Sequence, residues 1–225
     1  DPYIRGVSGS VEGVARILND AGIPNDLSYE DLDEEQRRRL SSLLAVKMTE
    51  QGILLESMTE IARDRYELKD VKMDAERLSS LLNSCGRAGI GGAGIAAGMG
   101  DERCLKIAAD TDEESARALV EAMKALDSRG LTQRKNFQWF DSTDSGFTGM
   151  LCGISMQSIS DPDKPTIGLN RANDPVNLSS RGMWGQLERG IDLAAAMREA
   201  CASVGGTGGG HKIAAGGSVP SDKVD

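Results

Sequence analysis

Residues 205–217 read GGTGGGHKIAAGG, and they contain the only histidine of the chain, His211. Five of the six residues from Gly205 to Gly210 are glycine. Glycine loses more backbone entropy on folding than any other residue and has no side chain to pack, so this density does not serve stability. A tight turn between a helix and a strand would need only one or two glycines. The stretch therefore favours a loop whose backbone is closely approached by a ligand.

The chemistry of this loop points to an anion. Successive backbone N–H groups in a glycine-rich turn can converge on a phosphate, and a histidine at the end adds a donor, or a positive charge near neutral pH. We therefore predict that Gly208, Gly209, Gly210 and His211 bind phosphate. The alternative is an ordinary turn that His211 merely caps.

A strand some 25 residues upstream predicts a second group of phosphate ligands. Side chains alternate along a strand, so in the segment from Val176 to Arg181 the side chains of Ser179 and Arg181 share one face. A hydroxyl donor and a guanidinium within reach of one oxyanion form a phosphate clamp. The polar outer face of an edge strand would show the same spacing, and the spacing alone supports both interpretations.

The rest of the C-terminal part reads as strands and one helix. Apolar runs bounded by Asp/Asn-Pro turns predict two further strands, and a helical pattern leads into the glycine stretch. The strands are predicted at 147–156 and 165–169, and the helix at 186–204.

The N-terminal part reads as mainly helical. Apolar residues at helical spacing and capping residues predict its helices. They follow Ser10, follow Asp33, and span 52–65, 74–87 and 111–128. The Arg37 to Arg39 run follows two glutamates and predicts a solvated face with ion pairs rather than a nucleic-acid contact.

A second glycine-rich zone runs from Gly89 to Gly100, with small apolar residues between its glycines. This pattern suits a tight, closely packed loop better than a flexible linker. Arg87 stands at the helix end beside it and is a further candidate anion ligand. The competing role for Arg87 is to satisfy the last carbonyls of its helix.

Composition limits the class of protein. The chain has 225 residues, 39% hydrophobic and 27% charged, which is typical of one large or two small soluble domains. No stretch could span a bilayer and no signal pattern opens the chain, so we predict a cytoplasmic protein without a membrane partner. The formal net charge of -9 argues against non-specific coating of nucleic acid and leaves room for a local basic pocket. The four cysteines are scattered and predict reduced thiols, with no metal site.

The predicted fold class is α/β. A mainly helical region would occupy residues 1–135, and a mixed α/β domain residues 136–225. The chain opens at Asp1 without an initiator methionine, which favours a piece of a longer protein.

Three motifs resemble one known superfamily. The segment from Gly205 to Gly217 resembles the GGGH motif of the DHH-associated C-terminal domain of DHH phosphoesterases. The segment from Asn83 to Arg87 is similar to the NAxGR motif of the RecJ branch, and the segment from Leu178 to Arg181 to its S-x-R strand. The order of these motifs, the opening residues 1–9 and the strand at 164–170 are similar to the archaeal RecJ-like single-strand nucleases, also called GINS-associated nucleases.

This resemblance implies the substrate-binding part of a 5′→3′ exonuclease for single-stranded DNA or RNA, a phosphodiester hydrolase that uses manganese or magnesium. It implies that His211 and the backbone of 208–210 contact the scissile or a neighbouring phosphate. It also implies that Ser179, Arg181 and Arg87 bind phosphates of the 5′-end. No Asp-His-His occurs in the chain, so the resemblance implies a separate metal lobe, no metal bound by this chain and no cleavage by this chain alone.

Two other functions fit the sequence less well. A non-catalytic replication scaffold that binds helicase or GINS-type partners suits the acidic charge, but it has no use for phosphate ligands. A phosphodiesterase for short oligonucleotides or cyclic dinucleotides shares the GGGH motif, but the element at 83–87 and the long helical region before it argue against this class.

Overall fold

The computed structural model describes residues 3–53, 55–58, 64–69, 71–142 and 146–224. Its contacts divide the chain into two compact units. The larger unit combines residues 1–61 with residues 122–225, and the smaller unit comprises residues 62–121.

The helices of the N-terminal segment form where their capping residues predict. Helix α1 (Val11–Asp20) begins at Ser10, whose side chain accepts from the Gly13 N–H, and α2 (Glu34–Glu50) begins at an Asp33 capping box. Leu40, Leu43, Leu44 and Met48 of α2 pack into the apolar clusters of this segment. A short helix α3 (Leu55–Met58) is the part of the predicted helix at 52–65 that the structure shows. The rest is non-helical at 52–53 and 64–65 or lies outside the described residues.

The arginine run on α2 forms the predicted solvated face. Arg38 Nη2 and Arg39 Nε lie 2.5 and 3.0 Å from the Glu35 carboxylate. All three side chains are about half exposed or more, so ion pairs on their own helix account for Arg38 and Arg39. Arg37 lies over the ring of Tyr29, 5.4 Å from its centroid.

The smaller unit is built on a helical hairpin. Strands β1 (Glu67–Leu68) and β2 (Met73–Asp74) form a short antiparallel pair, and Asp74 then caps helix α4 (Ala75–Arg87). Helix α5 (Gly91–Gly98) packs on α4, and the long helix α6 (Glu102–Arg129) contributes residues to both units. The buried core of this unit consists of Leu81, Cys85, Ala97 and Ala108.

Most of the glycine-rich zone at 89–100 is therefore the helix α5, where we predicted a loop. A Cβ at Gly94 would lie only 3.1 Å from the Cys85 Cβ. Helices α4 and α5 approach closely here, and the glycine at residue 94 allows this approach. The predicted close backbone packing is thus present, but between two helices.

The C-terminal part is a six-stranded mixed sheet, which confirms the α/β fold class. Its strand order is β3-β4-β5-β6-β8-β7, with β4 and β5 parallel and every other pair antiparallel. The strands are β3 (Thr132–Gln133), β4 (Gln138–Ser142), β5 (Thr166–Asn170), β6 (Val176–Arg181), β7 (Thr207–His211) and β8 (Ala214–Val219).

Helices cover the two faces of this sheet. Gly168 on β5 faces α7 (Thr148–Ser158), because a Cβ there would lie 2.8 Å from the Thr148 Cγ2 and 2.9 Å from the Cys152 Sγ. The next residue, Leu169, packs on the opposite face in a cluster with residues of α9 (Leu193–Ser203). A short helix α8 (Trp184–Glu188) connects β6 to α9.

Three predictions for this part are wrong. The segment at 147–156 lies in helix α7, and the predicted helix at 186–204 is two helices separated at Gly190, which has a φ of +90°. The glycine stretch from Gly205 to Gly217 forms the β7–β8 hairpin rather than a loop. The strands predicted at 165–169 and 176–181 are confirmed. None of the described helices combines the length and the apolar character needed to cross a bilayer.

Candidate functional site

The side chains of Ser179 and Arg181 meet at the first turn of α7. A Cβ at Gly149 would lie 3.0 Å from the Arg181 Nη2 and 3.6 Å from the Ser179 Oγ. Both polar groups therefore approach the bare backbone of Gly149, and the prediction that they share one face of β6 is confirmed. The space that a side chain would occupy at residue 149 is bordered by a guanidinium and a hydroxyl.

A backbone hydrogen bond orients the guanidinium of Arg181. Its Nη1 donates to the Ser180 carbonyl over 2.9 Å, and the neighbouring Cys152 thiol donates to the Ser179 carbonyl over 3.3 Å. Burial raises the pKa of Cys152 to about 12, although the Arg181 charge acts in the opposite direction. Because this thiol stays protonated at neutral pH, it does not neutralise the arginine.

The beginning of α7 adds a partial positive charge. Its N-cap residue is Phe147, whose side chain makes no capping hydrogen bond. The N–H groups of a helix's first turn have no partner within the helix, and the macrodipole makes this end favourable for anions. Arg181, Ser179 and the start of α7 thus combine three features that favour an anion.

The strand register extends this site across the β7–β8 hairpin. Ser179 pairs with Gly216, which pairs with Gly209, and Arg181 pairs with Ala214, which pairs with His211. Directly paired residues project to the same face of a sheet. His211 therefore lies on the same face as Arg181, two strands away, which corresponds to roughly 10 Å, and its side chain is exposed.

The three glycines before His211 have different surroundings. A Cβ at Gly208 would lie 2.3 Å from the Met197 carbonyl oxygen of α9, and Gly210 has a φ of +136° with the Ala214 oxygen 2.7 Å from its Cβ position. A Cβ at Gly209 would meet no atom within 4 Å, on the face that carries Ser179. Packing and backbone conformation explain the first two, and Gly209 leaves a flat, open piece of backbone beside the clamp.

Arg87 belongs to the smaller unit, at the end of α4. Its Nη2 donates to the Ser84 Oγ over 2.6 Å, and the Ser84 hydroxyl donates to the Asp112 carboxylate of α6 over 2.7 Å. Asp112 also accepts from Ser80 and pairs with Arg77. The hydrogen bond of Arg87 thus goes to a side chain rather than to a helix carbonyl. This hydrogen bond fixes one corner of the guanidinium.

The carboxylate beneath Arg87 remains ionised. Burial raises the pKa of Asp112, but hydrogen bonds from Ser84 and Ser80 and the charge of Arg77 outweigh it and hold this pKa below its ordinary range. The Arg87 guanidinium is therefore held by Ser84, which in turn donates to the ionised Asp112 carboxylate.

Sequence reasoning missed Gly149. The apolar run around it was predicted to be a strand, and in a strand the glycine has no particular neighbour. Only the helical assignment places it at a helix start that can face β6. A glycine in the first turn of a helix without a polar N-cap would have been the signal.

The described residues do not form a metal centre of the kind that phosphodiesterases use. Across 3–53, 55–58, 64–69, 71–142 and 146–224, no three His, Cys, Asp or Glu side chains form a group that could hold an ion. The site described here is accordingly built from donors and positive charge.

The C-terminal part of the chain, which contains the β7–β8 hairpin, matches a known protein family. Residues 145–225 match the DHHA1 domain family. This match covers the C-terminal part of the chain, including α7 and the β7–β8 hairpin.

One curated relative is similar over nearly the whole chain. An uncharacterized protein of Methanocaldococcus jannaschii is 31% identical over 224 residues, which are 99% of this chain and 47% of that protein. The chain thus spans about half the length of the relative that it matches.

Two solved structures are similar at low sequence identity. CDC45 from Entamoeba histolytica has a TM-score of 0.54 at 10% identity, over 95% of this chain and 48% of its own. A DHH domain from a member of a family of ribosomal proteins has a TM-score of 0.42 at 13% identity, over 87% of this chain and 44% of its own. The likeness to CDC45 shows that the two chains share a fold.

Proposed function

We propose that this chain, whose C-terminal part is a DHHA1 domain, is the substrate-binding part of a metal-dependent 5′→3′ exonuclease for single-stranded DNA or RNA. The observation that carries the proposal is the convergence of the Ser179 hydroxyl and the Arg181 guanidinium on Gly149 at the start of α7. This arrangement offers a fork of N–H donors, an O–H donor and a helix N-terminus to one tetrahedral anion.

Each residue has a distinct role in this proposal. Arg181 and Ser179 hold a phosphate at the 5′-end of the strand, and Arg87 holds a further phosphate. His211 contacts the phosphate where the bond is cleaved and stabilises the charge that develops there. The backbone from Gly208 to Gly210 passes beside the strand, and Gly209 allows the closest approach because its outer face is open.

The chain contributes binding and charge stabilisation to hydrolysis. Hydrolysis of a phosphodiester also needs an activated water, which manganese or magnesium supplies in two-metal sites. The described residues do not fit such a centre, so we assign no catalytic step through a metal to them. We expect the chain by itself to bind single strands without cleaving them.

The test is binding of a 5′-phosphorylated single-stranded oligonucleotide at low salt, followed by fluorescence anisotropy. The chain would be compared with its Arg181→Ala and His211→Ala variants. Arg117→Ala serves as the matched control, because Arg117 is an exposed arginine of α6 that pairs with Glu113. We expect about tenfold weaker binding for Arg181→Ala, a smaller loss for His211→Ala and none for the control.

Two results would contradict the proposal. If Arg181→Ala and Arg117→Ala bind the oligonucleotide alike, the phosphate is not held by the clamp. If the purified chain degrades single strands when manganese is added, and a variant without His211 does not, the chain is a complete enzyme rather than a substrate-binding part.

A non-catalytic replication scaffold is the second candidate function. The observation in its favour is the fold shared with CDC45 over 95% of the chain, together with the net charge of -9. Folded protein that shows no phosphate-dependent binding in the test above would favour binding of GINS or another replication protein. Displacement of the oligonucleotide by a cyclic dinucleotide at a lower concentration would instead favour a phosphodiesterase for small substrates.

A further inference from the structure

We propose that Trp184 is a stacking platform for a base of the bound single strand, next to the phosphate clamp. This inference rests on the proposed function, because it takes the ligand of the clamp to be a nucleic acid. It adds a recognition element for the base, whereas the clamp contacts only phosphate.

Trp184 lies close to the clamp along the chain. Strand β6 ends at Arg181 and α8 begins at Trp184. Arg181 and Trp184 are three positions apart in the chain, so their Cα atoms lie at most about 11 Å from each other. The Gly182 N–H donates to the Ile213 carbonyl over 2.9 Å, which ties this connection to the hairpin that carries His211. Trp184 is thus placed at the end of the sheet where the clamp and the histidine lie.

The backbone that carries Trp184 is firmly held. The Gln186 side chain is 1% exposed, donates to the Pro162 carbonyl over 2.9 Å and accepts from the Met183 N–H over 3.3 Å. A Cβ at Gly182 would lie 2.8 Å from the Gln186 Oε1, so the chain turns tightly against this side chain. The start of α8 therefore has a fixed position relative to the end of β6.

The indole itself remains in solvent. Trp184 is 62% exposed, whereas the other tryptophan of the chain, Trp139, is half-buried against the core of the sheet. A tryptophan has the largest apolar surface of any side chain, and leaving it in water forgoes the stabilisation that its burial would give. No packing requirement explains why a rigid turn presents it to solvent.

A nucleobase is the occupant that suits this position. Bases of any sequence stack on aromatic side chains, and single-strand binding proteins combine such platforms with cationic groups that hold the backbone. Arg181 supplies the cationic group here, at a distance that one nucleotide can span. Trp184 would therefore hold the base whose phosphate, or whose neighbour's phosphate, lies in the clamp.

The experiment compares two oligomers that differ only in their bases. Both carry a 5′-phosphate and have about eight nucleotides; one is oligothymidine and the other consists of abasic nucleotides. The proteins are the wild-type chain, Trp184→Ala, Trp184→Phe and Arg181→Ala. Tyr66→Ala is the control, since Tyr66 is an equally exposed aromatic residue of the smaller unit, at 69%.

We expect Trp184→Ala to weaken binding of oligothymidine about tenfold and to leave binding of the abasic oligomer unchanged. Trp184→Phe should retain most of the affinity, and Tyr66→Ala all of it. In a Trp139→Phe background, the fluorescence of Trp184 should be quenched by oligothymidine and not by the abasic oligomer.

The inference and the proposed function fail in different ways. If Trp184→Ala binds oligothymidine like the wild type while Arg181→Ala weakens both oligomers, the clamp is supported and the stacking role is overturned. If Arg181→Ala changes neither oligomer, the phosphate site itself is overturned, whatever Trp184 does.

Discussion

Gly208, Gly209 and Gly210 are consecutive on β7, yet each has a different reason to be a glycine. Gly208 faces the Met197 carbonyl, Gly210 has a positive φ, and Gly209 faces open space. From the sequence these residues are indistinguishable, because a glycine count says nothing about which face of a strand each one occupies. Among these three glycines, only Gly209 is constrained neither by packing nor by a positive φ.

Alanine at these positions should separate folding from binding. We expect Gly209→Ala to keep the free energy of unfolding and to weaken oligonucleotide binding at least about fivefold, or roughly 1 kcal/mol, because its methyl group covers the open backbone. Gly208→Ala should destabilise the fold by about 1–3 kcal/mol through overpacking against α9. Urea denaturation and anisotropy measure the two effects, and equal affinity of Gly209→Ala and the wild type would contradict the assignment.

The Asp112 carboxylate should make stability depend on pH. Its pKa in the folded state lies below its ordinary range, so its contribution to stability is complete above the unfolded-state pKa of about 3.9 and disappears as the pH falls through the folded-state pKa. We expect Asp112→Asn to lower the free energy of unfolding by about 1–3 kcal/mol near neutral pH. The difference from the wild type should shrink below about pH 4.

A neighbouring aspartate provides the control for that measurement. Asp110 is on the same helix and is paired with Lys106, and its side chain is 62% exposed. Asp110→Asn should change the free energy of unfolding by less than about 0.5 kcal/mol at every pH. Urea curves for Asp112→Asn that run parallel to those of the wild type from neutral to acid pH would show that the carboxylate is not selectively stabilised.

At the scale of elements, helix α7 determines whether the clamp is usable. It packs Thr148 and Cys152 against β5 and places Gly149 opposite Arg181. The buried residues of α7 share one face of the helix, but the intervening residues Gly149, Met150, Gly153 and Ile154 are apolar or small as well. Such a helix has no amphipathic period, which is why the sequence predicted a strand in this segment.

Two glycines of α7 form a matched pair for testing this element. Gly149→Ala would put a methyl group 3.0 Å from the Arg181 Nη2. The flexible guanidinium would be displaced, and we expect about tenfold weaker oligonucleotide binding with little change in stability. Gly153→Ala meets no atom within 4 Å; it should raise stability by about 0.5–1 kcal/mol and leave binding unchanged.

The same affinity measurement decides the outcome. If Gly149→Ala binds as tightly as Gly153→Ala while Arg181→Ala binds weakly, Arg181 acts from a position away from the start of α7. The geometry of the site described above would then not be the one that binds phosphate.

Elements with a clear local signal could be predicted, and those that depend on tertiary contacts could not. Strand β6 was predicted from Val176 to Arg181, because alternation and flanking turns are local properties. The same alternation correctly placed Ser179 and Arg181 on one face. The network beneath Arg87 could not be found, because contacts such as Ser84 with Asp112 join residues 28 positions apart in the chain. Gly149 was missed because its segment was predicted to be a strand. The roles of Gly208 to Gly210, His211, Ser179, Arg181 and Arg87 as ligands stay predictions, as does the division at residues 135 and 136.

At the scale of the whole molecule, the acidic net charge leads us to expect that a nucleic acid would bind only at a small part of the surface. The net charge is -9, so an extended single strand would be repelled by most of the surface. The few cations of the site must provide the attraction. We therefore expect the chain to bind the end of a single-stranded nucleic acid rather than to bind along its length.

Salt dependence tests this expectation. With one to three phosphates neutralised, the slope of log K against log salt should lie between about -0.7 and -2, since each contact with a single strand contributes about -0.7. Lengthening the oligonucleotide from about eight to about sixteen nucleotides should change the affinity less than about threefold. A steeper slope, or affinity that grows with length, would indicate an extended basic surface.

The tight packing of the β7–β8 hairpin against α9 also affects what conserved glycines in homologous sequences can indicate about function. A Cβ at Gly217 would lie 2.4 Å from the Cys201 Sγ. Selection for folding would therefore retain Gly208, Gly210 and Gly217 even in homologues that no longer bind a ligand. Their presence in a homologue is therefore no evidence of surviving function. Gly209 and His211 are under no such constraint, and drift at these two positions would be the first sign that a descendant no longer holds phosphate.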